Sequence, residues 1–295
     1  MKRPRRWGRA NYAGFRMKAQ DFVLGLLYSG GWPGVVTHAL GWQGELCVEE
    51  HTFHVRRAKP DAKPIRVAYA SDFHCGPTLN GTLLGHVLHA LRGARADLVL
   101  LGGDFVSFHA RYIERLIEPL KSIEAPLGKF AVLGNHDLLG DDVYIKSRLE
   151  AAGIRVLVNE NARLPAPHND VWICGFDDWN EGVPDADAAF RGADGTRILL
   201  AHGPDALLVA GDRPFDMAFF GHVHGGQFIW RGKPVIHHRG PMSAKYMLGG
   251  IIKAGVNNAP VLISRGIGTS VLPARRGADP QIHICTLVPR MSGLT

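Results

Sequence analysis

Between residues 65 and 222 the chain alternates short apolar runs with stretches whose apolar residues recur every three or four positions. IRVAYAS (65–71) is compact and rich in Val, Ile and Tyr, which predicts a buried strand. Leu83, Leu84, Val87, Leu88 and Leu91 then follow helical spacing. DLVLLGG (97–103) predicts a second strand, and Tyr112, Ile113, Leu116, Ile117 and Leu120 a second helix. KFAVLG (129–134) predicts a third strand, and DDVYIKSRLEAAG a helix opened by acids and stopped at Gly153. IRVLV (154–158), VWICGF (171–176), RILLAH (197–202) and DMAFFGH (216–222) continue the series. Repeated strand, helix, strand means an α/β fold with a largely parallel core. Past Gly225 the rhythm changes to QFIW, KPVI, VLISRG and QIHICTLV, strand-like runs that predict a second sheet or an antiparallel flank.

Upstream of this body, residues 22–44 contain no Asp, Glu, Lys or Arg. About twenty apolar residues would span a bilayer, but Gly30-Gly31-Trp32-Pro33-Gly34 breaks this segment at its centre. An interfacial pair of short helices, a single span and a piece of soluble core all stay open. Charge favours membrane contact. The first twenty residues hold Lys2, Arg3, Arg5, Arg6, Arg9, Arg16 and Lys18 and no acid, within a net charge of +7. Of 34 basic residues, those outside this arm number 27, equal to the 27 acidic ones. A neutral body argues against a nucleic-acid groove, whereas a basic arm suits anionic lipid, with Trp32 and Trp42 as interfacial anchors. The expected division is residues 1–44 as arm and membrane-contacting segment and 45–295 as catalytic domain. The expected location is peripheral, on the cytoplasmic side; a spanning segment would instead leave the arm cytoplasmic and the domain outside. Cys47, Cys75, Cys174 and Cys285 are far apart and form no CxxC pair, against a disulfide framework or a thiolate zinc site.

Five of the apolar runs end in residues of one chemical kind. SDFH supplies Asp72 and His74, GGDF Asp104, GNHD Asn135, His136 and Asp137, AHGPD His202, and GHVH His222 and His224. In α/β sheets the ligand crevice lies beyond the carboxyl ends of the strands. Oxygen and imidazole donors without thiolate suit divalent Mn, Fe or Zn. Four histidines, two aspartates and an asparagine exceed one open site and match two ions sharing a carboxylate. Two ions roughly 3.5–4 Å apart can clamp the attacking and leaving oxygens of an in-line displacement at phosphorus, with a bridging hydroxide as nucleophile. His222 and His224, two apart in an extended chain, would point one way, and Gly225 and Gly226 would let backbone pass close to the site.

DFH, GGD, GNHD, AH and GHVH, in that order, resemble the five-part signature of the calcineurin-like metallophosphoesterase superfamily, over roughly residues 65 to 288. The resemblance implies a four-layer α/β/β/α sandwich of two mixed sheets. It implies that Asp72, His74, Asp104 and His224 hold one metal, and that Asp104, Asn135, His202 and His222 hold the other. His136 would then act beside the metals on the phosphate and leaving group, with Asp137 orienting its ring. GFDDWNEG, ILLAHGPD, GHVHGGQF and LISRGIGTS…LPARRGADP look like the membrane-associated phosphodiesterase branch, although Val223 replaces the usual threonine. That branch implies a lipid-linked or membrane-proximal phosphodiester or pyrophosphate, a UDP-diacylglucosamine-like compound being one example. The alternatives are a nucleotide or nucleic-acid phosphodiesterase, and a non-enzymatic scaffold of the same fold.

Other residues carry two readings each. His237 and His238 would touch substrate or sit in a surface loop. Arg265, Arg275 and Arg276 would bind phosphate or be solvated loop charge. Asp177 and Asp178 would be paired acid/base carboxylates or, more in keeping with the DADAAF stretch that follows, turn and capping residues.

Overall fold

The protein is described by a computed structural model covering residues 8–10, 15–56, 62–107, 109–236 and 240–290. Lys2, Arg3, Arg5, Arg6, His237 and His238 lie outside the described residues. The strands are β1 (Cys47–Val55), β2 (Ile65–Ala70), β3 (Leu98–Leu101), β4 (Lys129–Ala131), β5 (Ile154–Val156), β6 (Glu160–Arg163) and β7 (Val171–Gly175). They continue with β8 (Thr196–Leu200), β9 (Met217–Phe220), β10 (Ile229–Trp230), β11 (Lys233–Pro234), β12 (Gly250–Ala254), β13 (Ala259–Ile263) and β14 (Gln281–Pro289). The α-helices are α1 (Phe15–Leu27), α2 (Trp32–Ala39), α3 (Gly81–Gly93), α4 (Glu114–Lys121), α5 (Asn135–Leu139), α6 (Asp142–Ala151), α7 (Ala186–Phe190), α8 (Ala206–Ala210) and α9 (Pro241–Lys245).

Two six-stranded sheets form, in the orders β1-β14-β2-β3-β4-β5 and β12-β13-β9-β8-β7-β6. β2 to β5 run parallel, as do β13, β9, β8 and β7. β14 runs antiparallel to β2, and β12 and β6 antiparallel to their neighbours. Three apolar layers hold the stack. Val67, Tyr69, Leu100, Ile173, Leu200 and Phe219 pack in one cluster drawn from both sheets. Leu83, Val87, Leu91, Leu116 and Leu120 pack α3 and α4 on the outside of the first sheet. Phe190, Ala206 and Ala210 pack α7 and α8 on the outside of the second. The order is therefore α/β/β/α, as the resemblance implied.

The helical spacings hold: α3 buries Leu83, Leu84, Val87, Leu88 and Leu91, and Asn80 caps it by accepting from the Thr82 amide at 2.7 Å. β1, β6 and β12 have no counterpart in the apolar runs. All three are sheet edges, and an edge strand with one wet face carries polar residues that hide its periodicity, as in CVEEHTFHV and ENAR. The runs beyond Gly225 divide between the sheets, with VLI in the second and QIHICTLV in the first.

The segment 22–44 is not one continuous helix. α1 and α2 are separate, broken where Gly30 and Gly31 take φ of 77° and 75°, as the short-helix reading required. Among the described residues no helix is long and apolar enough to cross a membrane. Pro33, Gly34 and Thr37 face inward, where the Gly34 amide donates to the Pro77 carbonyl at 3.2 Å. A Cβ at Gly34 would sit 3.1 Å from Leu79, so glycine permits this docking. Phe22, Val23, Leu26, Leu27, Trp32, Val35, Val36, Leu40 and Trp42 are exposed.

Candidate metal centre

Three neighbouring strands of the first sheet, β2, β3 and β4, and two of the second, β8 and β9, end toward one crevice. Their exits are stitched together: the Asp72 amide donates to the Gly103 carbonyl and the His74 amide to the Asp104 carbonyl, both at 2.9 Å. Across the sheets, the His222 amide donates to both oxygens of Asp72 at 3.1 Å. Asp72, His74, Asp104, His222 and His224 all adopt positive φ, between 46° and 70°. Such backbone costs on the order of 1 kcal/mol or more per residue and concentrates at functional sites. It also ends each strand abruptly, so β9 stops at Phe220 rather than 222. Glycine makes the close approach possible: a Cβ on Gly134 would fall 2.2 Å from Asp104 Oδ1, and one on Gly221 2.3 Å from Asp72 Oδ2.

The donors gather in two groups joined by Asp104. His74 Nε2 and His224 Nε2 are 3.0 Å apart, with Asp72 Oδ1 3.6 Å from the latter. His202 Nε2 and His222 Nδ1 are 3.1 Å apart. Asp104 Oδ2 stands between the groups, 3.4 Å from His74 Nε2 and 3.3 Å from His202 Nε2. All these residues except Asn135 and His136 are buried. His222 and His224 therefore do not aim at one point; each joins a different group, because left-handed backbone replaces the expected extended chain. Gly225 and Gly226 turn the chain, but a Cβ on them would meet Arg265 and Pro234, not the donors.

Two features fit this set to cations. Asn135 Oδ1 is buried with no hydrogen-bond partner, an acceptor whose desolvation nothing in the protein offsets. Burial alone would lower His202, yet the Asp104, Asp72 and Asp178 carboxylates raise it well above the ordinary imidazole range. Carboxylates that favour positive charge on a buried ring would equally favour a cation beside it. Burial pushes the Asp72 carboxyl up to about 6. At Asp104 burial acts upward too, but His202, His136 and His74 outweigh it and hold the carboxyl well below its usual range. His202 Nδ1 lies 2.8 Å from the Gly102 carbonyl, which can only accept, so Nδ1 carries the proton and Nε2 faces the site. His74 Nδ1 is similarly held by Ser107 Oγ at 2.7 Å.

His136 lies at the rim, its ring 4.7 Å from that of His74 and edge-on to it. Asp137 does not orient that ring. Its Oδ1 accepts from the Phe105 and Val106 amides at 2.9 and 3.3 Å, and its Oδ2 from the Gly134 amide at 3.0 Å. Asp137 is buried at the first turn of α5, where free amides attract a carboxylate, and it ties the β3 exit to the β4 exit.

Arg275 fits neither reading. It is buried, and it spends its N–H groups on the carbonyls of Gly268, His224, Ala278 and Arg265, bracing the His224 backbone. Arg265 lies 3.7 Å from Glu49, and the Arg276 guanidinium stands over the Trp230 ring at 6.0 Å. Asp177 and Asp178 are turn residues, as expected, but with more to do. Asp178 Oδ1 accepts from the Asn180 and Glu181 amides, its Oδ2 is buried without a partner, and burial pushes its carboxyl up to about 7. Asn180 Nδ2 lies 3.3 Å from His222 Nε2, so the DDWN turn lines the centre. Ser107, three residues past Asp104, and Asn180, inside GFDDWNEG, were not singled out in the sequence because neither ends an apolar run. Arg9, one basic residue of the arm, is turned toward the domain rather than toward lipid. Its Nη1 and Nη2 grip Asp177 at 2.7 and 2.8 Å and its Nε reaches Asp142 at 2.8 Å. Gly8 and Ala10 donate to the carbonyls of Leu139 and Leu138.

Residues 65–245 match the calcineurin-like phosphoesterase superfamily domain. The chain belongs to that superfamily, and it is a metal-dependent phosphoester hydrolase whose cofactor is a pair of divalent cations. It is 30% identical to the Bacillus subtilis metallophosphoesterase YkuE over 81% of this chain and 84% of that protein. It is 29% identical to the Escherichia coli phosphodiesterase YaeI over 78% of this chain and 84% of that one. A Bos taurus transmembrane protein with a metallophosphoesterase domain is 30% identical over 59% of this chain and 44% of its own.

Proposed function

We propose that the chain hydrolyses a phosphodiester or pyrophosphate bond in a lipid-linked or membrane-proximal substrate. In this reading residues 1–44 contact the membrane surface and 45–295 form the catalytic domain. Asp72, His74, Asp104 and His224 hold one ion; Asp104, Asn135, His202 and His222 hold the other, with Asp104 shared. Bound there, the ions supply Lewis-acid stabilisation of charge on the phosphoryl oxygens and activate water. The chain's own contribution is to hold four imidazoles and two carboxylates in place and buried, and to offer one rim imidazole, His136. His136 donates a hydrogen bond or proton toward the leaving oxygen, since it is the histidine beside the centre that is only partly buried.

The observation that carries the lipid part is the seat of α2 and the exposed apolar residues around it. α2 docks on Pro77–Leu79, a few residues beyond His74, while Leu26, Leu27, Trp32, Val35 and Val36 stay exposed. An apolar face beside the crevice would bring a bilayer-held phosphoester to the metals. The phosphodiesterase description of YaeI and the transmembrane description of the bovine relative agree with this reading.

The test is hydrolysis by full-length protein with Mn²⁺ of bis-p-nitrophenyl phosphate, UDP-diacylglucosamine, phospholipids and cyclic nucleotides, with Asp104→Ala as control. Turnover concentrated on the lipid-linked substrates is expected. A Leu27→Glu/Val36→Glu variant should leave bis-p-nitrophenyl phosphate turnover intact while losing sedimentation with anionic vesicles. Equal sedimentation of variant and wild type would sink the membrane reading, and preference for cyclic nucleotides would replace the substrate class.

A further inference from the structure

We propose that Glu49, His51 and His283 form a third metal site, for a zinc-class transition ion, at the edge of the first sheet and apart from the catalytic pair.

β1 runs parallel to β14, with Glu49 opposite His283 and His51 two residues further along β1. Side chains two apart share a face, so all three project together between the sheets. His51 Nε2 and His283 Nδ1 are 3.2 Å apart. Glu49 Oε2 lies 3.5 Å from His51 Nε2 and 3.8 Å from His283 Nδ1. A tetrahedral ion about 2.0–2.1 Å from each donor keeps its donors about 3.3 Å apart. The triangle brackets that value, and it matches the spacing of 3.0 to 3.6 Å among the catalytic donors.

A hydrogen bond between the two rings, which stack at 5.4 Å and 28°, accounts for the first distance alone. It leaves Glu49 Oε2 facing two ring nitrogens at the limit of hydrogen-bond reach or beyond. The other carboxylate oxygen is already occupied: Gln281 Nε2 donates to Oε1, and Arg265 Nη2 lies 3.7 Å from it. Those partners brace the carboxylate as supports of a metal ligand do. The Arg265 charge pairs with Oε1 and also disfavours a proton on His283. Burial keeps the His283 ring neutral, pushed down to about 3, so it retains a lone pair. The His51 and Glu49 side chains are 19% and 38% exposed, which leaves an entry path and space for water as fourth ligand. Two imidazoles and one carboxylate without thiolate suit Zn²⁺ among the common ions. An ion here would staple β1, which follows α2 in the chain, to the strands that lead to Asp72 and Asp104.

The experiment counts zinc. Full-length protein is stripped with chelator, loaded with Zn²⁺ alone, desalted and analysed by mass spectrometry for metal per chain. Wild type is expected to retain three ions, and Glu49→Gln and His51→Ala two, each variant keeping Mn²⁺-supported bis-p-nitrophenyl phosphate turnover within about twofold. Asp104→Ala, stripped of catalytic zinc, should keep one ion and lose it when His51→Ala is added. The same count in wild type, Glu49→Gln and His51→Ala overturns the site. So does loss of turnover in step with the lost ion, which would trace that ion to the catalytic pair. If the protein turned over none of the phosphoesters, the zinc counts would still decide this question.

Discussion

Replacing Arg9 by Met tests whether the N-terminal arm is part of the folded domain. Met keeps most of the apolar stem and removes the guanidinium. The Asp142 and Asp177 side chains are 6% and 3% exposed, so both would be left as buried carboxylates without their cation. Removing one partner of a buried pair costs about 3–5 kcal/mol. Two facts reduce this. Arg9 is itself 38% exposed, so water screens it. Asp177 also keeps the Val183 and Asp178 amides, at 2.9 and 3.0 Å. A loss of about 2 kcal/mol remains. At about 2–4 °C per kcal/mol for a chain somewhat smaller than this one, the melting temperature should fall by about 4–8 °C. The assay is calorimetry of the metal-loaded full-length protein. Burial alone would raise the Asp177 carboxyl, but the Arg9 hydrogen bonds and two amides hold it below its ordinary value. A depressed carboxyl stabilises the fold above its unfolded pKa and loses that contribution as pH falls through the folded one. The gap between wild type and Arg9→Met should therefore be full above about pH 4 and close below it. Melting temperatures within about 1 °C of each other at pH 7 would refute the reasoning.

Two further substitutions probe the centre. His136→Ala should keep the metal content of the wild type, measured side by side, while turnover falls by about 10²–10⁴; metal analysis that finds ions lost would make His136 a ligand instead. Gly134→Ala places a methyl 2.2 Å from Asp104 Oδ1 and 2.7 Å from the Asp104 amide. The variant should lose about 3 kcal/mol of stability together with its metals, read by denaturant unfolding and metal content; wild-type values in both would mean that the β3 and β4 exits are not so close.

Much of the centre was legible because its residues sit where strands must stop. Asp72, Asp104 and His202 each follow a run of buried aliphatic residues, and a polar group there has only a strand end to occupy. The helical faces of α3 and α4 were equally plain, since Leu83 to Leu91 and Ile113 to Leu120 repeat every three or four residues. Asp137 was misjudged for a physical reason: adjacency to His136 in sequence suggested a ring partner, while the folded chain offers it three unpaired amides. The partners of Arg9 were not legible because charge along a sequence does not report which carboxylates lie buried nearby. The edge strands β1, β6 and β12 were missed because their wet faces dilute the apolar signal. The triad on β1 and β14 is invisible in sequence, since 232 positions separate His51 from His283.

Local order, strand against helix and the polar punctuation of each strand, depends on neighbours a few residues away, and so the amino-acid string alone determined it. Which of two groups each histidine joins, which oxygen of Asp104 lies between them, and where Arg9 finds its partners depend on contacts between elements remote in the chain. Only the closing of two sheets face to face decided those, because donors can meet at about 3 Å only after the apolar layer between the sheets has set their distance and register.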